Sequence, residues 1–176
     1  MSLGTRSLIN LDLFTDAYRV TGSTTVGAGG INAELANPNS SFLEIQGAYI
    51  SRINQPGEIV THYNLAAFRK DNINFIVLQD RRVGIPVGTQ HGRSIYTRGQ
   101  EVPVFLTVPS FEIKGAITHT GKPNPRDILA KAVGGYLLVF GAFASASLYS
   151  EIGYSGDLIM VSRDRIGLFC LDSDRS

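Results

Sequence analysis

The chain has 176 residues, 43% hydrophobic and 18% charged, which excludes a disordered chain, a coiled coil and collagen. Sixteen basic against fifteen acidic side chains leave a net charge of +1, so no global field draws the protein to nucleic acid or anionic lipid. One cysteine, Cys170, excludes an internal disulfide framework and a multi-cysteine zinc site.

The N-terminal residues hold one arginine and no long apolar core, so they do not read as a secretory signal, and a cytoplasmic location is expected. One later stretch, Ala132 to Ser150, runs nineteen residues without a charge and by length alone is a membrane-span candidate. Its glycines and serines argue against that, and so does an internal repeat. Tyr18-Arg-Val-Thr-Gly22 matches Phe111-Glu-Ile-Lys-Gly115 at an offset of 93 residues. Phe42 to Tyr49 matches Tyr136 to Phe143 at 94, and Lys70-Asp-Asn-Ile73 matches Arg163-Asp-Arg-Ile166 at 93. Three blocks in one order at nearly constant offset point to a duplication of residues 11–80 in 102–174. Phe42 to Asn54 alternates like a strand and carries Glu44 and Arg52. Its apolar counterpart from Tyr136 is therefore expected to be a strand buried on both faces, not a span.

Each copy opens on alternating residues, Leu11, Leu13, Tyr18 and Val20 in the first and Val102, Val104, Phe111 and Ile113 in the second, which read as two strands. Gly22 and Gly115 mark a bulge or turn. A loop leads to a short helix, over Asn32–Asn37 in the first copy and Pro125–Val133 in the second, with Pro125 at the first helical position. The long strand follows, then Ile59–Arg69 and Phe75–Leu78, with Asp157–Ser162 and Ile166–Leu171 as counterparts. Asp71 and Asp164 suit the connecting turns. Tyr18, Phe42, Phe111 and Tyr136 are expected in the core. The expected fold is mainly β: two tandem small barrel-like units of the Sm or SH3 type, each with a short helix, packed about a pseudo-two-fold axis.

Residues 81–101 belong to neither copy. Arg81, Arg82, Arg93 and Arg98 against Glu101 give this connector a charge of +3. Val83–Val87 and Ser94–Tyr96 could form a hairpin. The arginines read either as forks for phosphate or carboxylate, or as ordinary charge on a solvated linker without the aromatic platform that single-stranded nucleic acid needs.

No stronger chemistry is visible. Gly27-Ala-Gly29-Gly30 has Asn32 where a dinucleotide fingerprint needs glycine. Gly121-Lys122 is not a phosphate loop, and Gly153-Tyr-Ser155-Gly156 is not a nucleophile elbow. His62, His91 and His119 lack metal-ligand spacing, and Cys170 between Phe169 and Leu171 reads as a buried, inert thiol.

The blocks Thr15-Asp-Ala-Tyr-Arg-Val-Thr-Gly22, Leu35-Ala-Asn37, Phe42-Leu43 with Ala48, and Lys70-Asp-Asn-Ile73 resemble a family of short uncharacterised bacterial β-rich domains. The second copy looks like a diverged member. It keeps Gly115, Asp127, Leu129, Ala142 and Arg163-Asp164-x-Ile166 and replaces Tyr-Arg by Phe111-Glu112. The resemblance supplies no catalytic residues. From the duplication, the near-neutral charge and the missing catalytic constellation, the expected function is non-enzymatic, with no cofactor, metal or membrane: binding of a protein partner or self-association. The alternative is nucleotide or nucleic-acid binding through Arg81, Arg82, Arg93 and Arg98.

Overall fold

The computed structural model describes residues 4–86, 99–132 and 134–172. Its first half holds β1 (Ser7–Phe14), β2 (Tyr18–Val26), α1 (Gly30–Ala36), β3 (Phe42–Arg52), β4 (Gln55–Arg69), a 3-10 turn (Lys70–Asn72) and β5 (Phe75–Leu78). A further 3-10 turn, Arg81–Val83, follows. The second half repeats the order with β6 (Gln100–Val108), β7 (Phe111–His119), α2 (Pro125–Ala130), β8 (Tyr136–Ala146), β9 (Tyr149–Ser162), a 3-10 turn (Arg163–Arg165) and β10 (Leu168–Leu171). Asp71 and Asp164 sit in equivalent 3-10 turns, as their positions in the sequence lead one to expect.

Among the described residues the strands form one antiparallel sheet of ten, in the order β10-β6-β7-β8-β9-β5-β1-β2-β3-β4. This differs from two small barrel-like units packed about a two-fold axis. A two-fold would pair like with like, β5 with β10 or β4 with β9. The sheet instead pairs the last strand of the first half with the fourth strand of the second: Phe75, Ile76, Val77 and Leu78 face Val161, Met160, Ile159 and Leu158. The halves thus join head to tail, and each stays open because one of its end strands serves as the junction surface. The connector is also shorter than expected, because β6 already starts at Gln100, and Val83 and Ile85 pack against the first half's core.

Each half bends at a paired glycine site. The β2–β3 register shifts between Thr21 and Ser23, and the β7–β8 register between Lys114 and Ala116, so Gly22 and Gly115 occupy the expected bulges. A Cβ on Gly115 would stand 2.7 Å from Val139 Cγ1 and 2.9 Å from the Phe140 carbonyl oxygen. Across the ladder, Gly47 and Gly141 take positive φ values of 59° and 53°.

Two cores lie on opposite faces of the central strands. One gathers Leu11, Leu13, Ile31, Leu35, Ile45, Ile76 and Leu78 with Leu138, Phe140, Leu158 and Met160. The other gathers Leu106, Phe111, Ile113 and Ile128 with Leu137, Val139, Ile159, Val161, Phe14, Phe75 and Val77. Alternate residues of β5, β8 and β9 therefore feed different cores, and all of Tyr136–Phe140 is buried. Within the uncharged stretch, Tyr136–Phe140 is a strand covered on both faces, as expected, while Phe143 beyond it is exposed. Among the described residues, no helix is long and apolar enough to cross a membrane.

The helices are short lids. In α1, Ile31 and Leu35 are one turn apart and both buried. Lys70 Nζ donates to the carbonyls of Glu34 (2.5 Å) and Asn37 (3.2 Å) at the helix end. In α2, Asn124 accepts from the Arg126 N–H at 2.9 Å and Pro125 opens the helix, the arrangement its sequence predicts.

A methyl group at Gly115 meets backbone and a packed valine with no room to yield. Gly115→Ala is expected to cost about 1–3 kcal/mol, read as a lower urea midpoint with an unchanged slope.

Candidate functional site

The β5·β9 seam is stitched by more than its ladder. Phe14 and Phe75 stack at 4.4 Å between ring centroids. Phe111 from the other half meets both edge-on, at 5.5 and 4.9 Å. Asn74, fully buried, is the polar node. Its N–H donates to the Phe14 carbonyl (2.8 Å) and its own carbonyl accepts from the Ser162 N–H (3.0 Å). Its side-chain amide donates to Asp16 (2.9 Å) and to the Pro109 carbonyl (3.1 Å), while its oxygen accepts from Arg165 Nε at 2.8 Å. Arg165 closes the network on Asp16 at 2.7 Å.

Of the four arginines singled out from the sequence, Arg81 and Arg82 are described, and each is held by a carboxylate. Arg81 donates from its backbone N–H and from Nε to Asp157, both at 2.9 Å, tying the connector to β9 across the seam. Arg82 lies along Asp80, with Nη2 at 2.7 Å. These hydrogen bonds hold both aspartates below the ordinary carboxylate pKa. Arg93 and Arg98 lie outside the described residues, as do His91 and the Ser94–Tyr96 arm of the expected hairpin.

The concave surfaces offer structural rather than reactive groups. A cavity of about 580 Å³ lies at the β1–β3 bend, where Asp12 accepts from Arg19 Nε at 3.0 Å and from the Thr21 hydroxyl. A second, of about 430 Å³, lies between the Lys70–Asn72 and Arg163–Arg165 turns and is lined by Lys70, Asp71, Tyr136, Asp164 and Arg165. Burial, with Asp71 and Asp164 nearby, pushes the Tyr136 hydroxyl well above its usual pKa. His62 stacks on Tyr49 at 4.1 Å, and His119 Nε2 lies 3.3 Å from the Lys122 carbonyl. Among the described residues no three metal-ligating side chains come together.

The sheet ends stand out. β4 and β10 are its outer strands. Natural edges are usually blunted by charge, proline or bulges. β4 begins with Pro56 and Glu58, shifts register at Val60 and ends on Arg69, but its run from Ile59 to Phe68 holds no Asp, Glu, Lys or Arg, and β10 reads Leu-Phe-Cys-Leu. Ile59, Val60, Tyr63, Leu65 and Leu168 are exposed. So is Cys170, contrary to its sequence context, because it lies on the outward face of an end strand. Tyr18 and Phe42, expected in the core, are also exposed, whereas Phe111 and Tyr136 are buried. The difference is position: the second pair lies near the seam and the first lies away from it, with the Arg69 guanidinium 5.1 Å from the Phe42 ring centroid. Sequence reasoning missed these edges because apolar composition does not separate an end strand from a central one; the missing charges in 59–68 were the available signal.

No protein-family model matches the chain, and no curated protein or solved structure matches it.

Two outcomes test the seam. Asn74→Ala removes one hydrogen bond each from Arg165 Nε, Asp16 and the Pro109 carbonyl, leaving only the Arg165–Asp16 pair of that network, and is expected to cost about 1–3 kcal/mol in urea unfolding. The Arg81 hydrogen bonds hold the folded pKa of Asp157 below its unfolded value, so the stability it contributes is complete above the ordinary carboxylate range and is lost as pH falls through the folded value. Asp157→Asn should flatten the acid limb of a stability–pH curve by the small amount of a solvent-exposed pair.

Proposed function

We propose that this chain is a non-enzymatic assembly module that joins protein partners by strand pairing at its two open edges. The observation that carries the reading is a contrast between equivalent strands. The 59–68 run of β4 and the whole of β10 are uncharged and carry exposed apolar side chains, whereas Leu158–Val161 of β9 and all of β5 are buried. An edge of this kind is a template for strand addition: backbone groups supply affinity and alternate side chains supply selectivity. The fold behind it is read as two tandem units of the small, bent Sm or SH3 type, copied from one segment.

The non-enzymatic part of the reading rests on how the ionisable groups are used. Asp80 and Asp157 owe their lowered pKa values to arginines that occupy them, and Lys70 and Arg165 are committed to carbonyls, Asp16 and Asn74. Arg81 and Arg82 are likewise engaged by carboxylates, which favours the strand-pairing reading over phosphate recognition by those two.

The test is selection of displayed peptides of random sequence against the purified protein, with the binding site mapped by amide hydrogen exchange. Protection is expected at Leu65–Arg69 and Leu168–Leu171, with affinity reduced at least about tenfold by Leu65→Lys or Leu168→Lys. Protection confined to the sheet faces or cavities, or binding indifferent to both substitutions, overturns the reading.

A further inference from the structure

We infer that the partner at both edges is a second copy of this chain, joined head to tail so that β10 of one copy pairs with β4 of the next in the register of the internal seam. The inference rests on the strand-pairing reading and adds the partner and the register.

The register follows from the ladders within each half. Phe42 faces Arg69 where β3 meets β4, and Tyr136 faces Ser162 where β8 meets β9, so Arg69 and Ser162 are equivalent. Phe75 faces Phe14 and Leu168 faces Thr107, at the same place in β1·β5 and β6·β10. Carrying the seam across by these equivalences sets Leu168 opposite Phe68, Phe169 opposite Ala67, Cys170 opposite Ala66 and Leu171 opposite Leu65. None of these residues is charged, so no like charges meet.

Exposure follows the same map. Leu65 is 58% exposed and its counterpart Leu158 is fully buried; Leu168 is 51% exposed and its counterpart Phe75 is fully buried. Tyr18 and Phe42, 43% and 46% exposed, correspond to Phe111 and Tyr136, buried near the seam. Residues on both ends of the molecule are thus uncovered where the internal junction covers their equivalents. The backbone agrees: the Gly167 N–H donates to the Thr107 carbonyl at 2.9 Å, as the Asn74 N–H donates to Phe14. The Asn74 carbonyl accepts from Ser162, so the Gly167 carbonyl stands where an acceptor is needed for Arg69 of the neighbouring copy.

The joint between copies is weaker than the seam. Gly167 stands where Asn74 holds the polar node, Asn72 where Arg165 reaches across, and Ala66 and Ala67 where Ile159 and Met160 fill the core. Less apolar area is buried and the hydrogen-bonded network is missing, so association is reversible. Because the joined surfaces are unlike, repetition yields a ring if the rotation closes and a filament if it does not.

Sedimentation velocity over a wide concentration range, with native mass spectrometry, reads the assembly. Species larger than a monomer are expected, and Leu65→Lys or Leu168→Lys should raise the concentration of half-dissociation at least about tenfold without lowering Tm, since both side chains are exposed in the single chain. Ala66→Cys reads the register. Cross-strand Cβ atoms lie about 4.5–5.5 Å apart, close to disulfide range. Mild oxidation should therefore link the thiol introduced at position 66 of one copy to Cys170 of the next, in a ladder of covalent multimers. Cys170→Ser in that background should abolish the ladder. Three results overturn the inference: a monomer at every concentration, an assembly indifferent to both lysines, or a Cys170–Cys170 dimer from the unsubstituted protein, which marks pairing of like edges. A monomer whose edges still capture peptides would sink self-association and leave the strand-pairing reading standing.

Discussion

The pairing of β5 with β9 is the constraint on which the rest of the molecule depends. Each half has roughly seventy residues, a size at which one core alone gives marginal stability. A four-residue strand also has little ladder of its own. β5 gains its place by pairing on both sides, with β1 and β9, and by sending Phe75 and Val77 into one core and Ile76 and Leu78 into the other. The seam thus lets each of the two cores draw residues from both halves across shared strands. Asn74, itself fully buried, meets the polar demands of that junction, with backbone and side chain all bonded.

That junction joins unlike surfaces, with consequences a two-fold contact would not have. A two-fold contact consumes the same strand from each half and leaves two identical edges. Here the fourth strand of one half is used against the fifth of the other, leaving one of each kind free. The free strands keep the apolar character of their buried equivalents and, over 59–68 and 168–171, lack the charges that usually guard an edge. Edges built to a buried pattern, ending a sheet whose own middle shows how they pair, are the physical basis for reading the chain as an assembly module.

Much of the fold was legible in the residues. Period-two alternation located the strands, with β5 at Phe75–Leu78. The repeated Gly22 and Gly115 located the bulges, and Asn124-Pro125 the start of α2. The comparison of Phe42–Asn54 with the stretch after Tyr136 identified a strand where length alone offered a membrane span, although it is buried on both faces only over Tyr136–Phe140. The misplacements share a cause. Tyr18, Phe42 and Cys170 were expected inside because their neighbours alternate like core residues, yet all three are exposed near the sheet ends. Local pattern reports which face of a strand is apolar; it carries no information about whether another strand lies beside it.

The sequence by itself determined the class of the elements, their repeated order and the turns between them, because periodicity, glycine freedom and capping act over a few residues. Only the tertiary structure decided that the halves meet head to tail, that Arg81 and Arg82 are held by Asp157 and Asp80, and that β4 and β10 end the sheet. Those outcomes depend on which distant surfaces bury each other, through contacts such as Phe14 with Phe111 and Asn74 with Arg165. Residues far apart in the chain set that choice jointly, and no short window contains both partners.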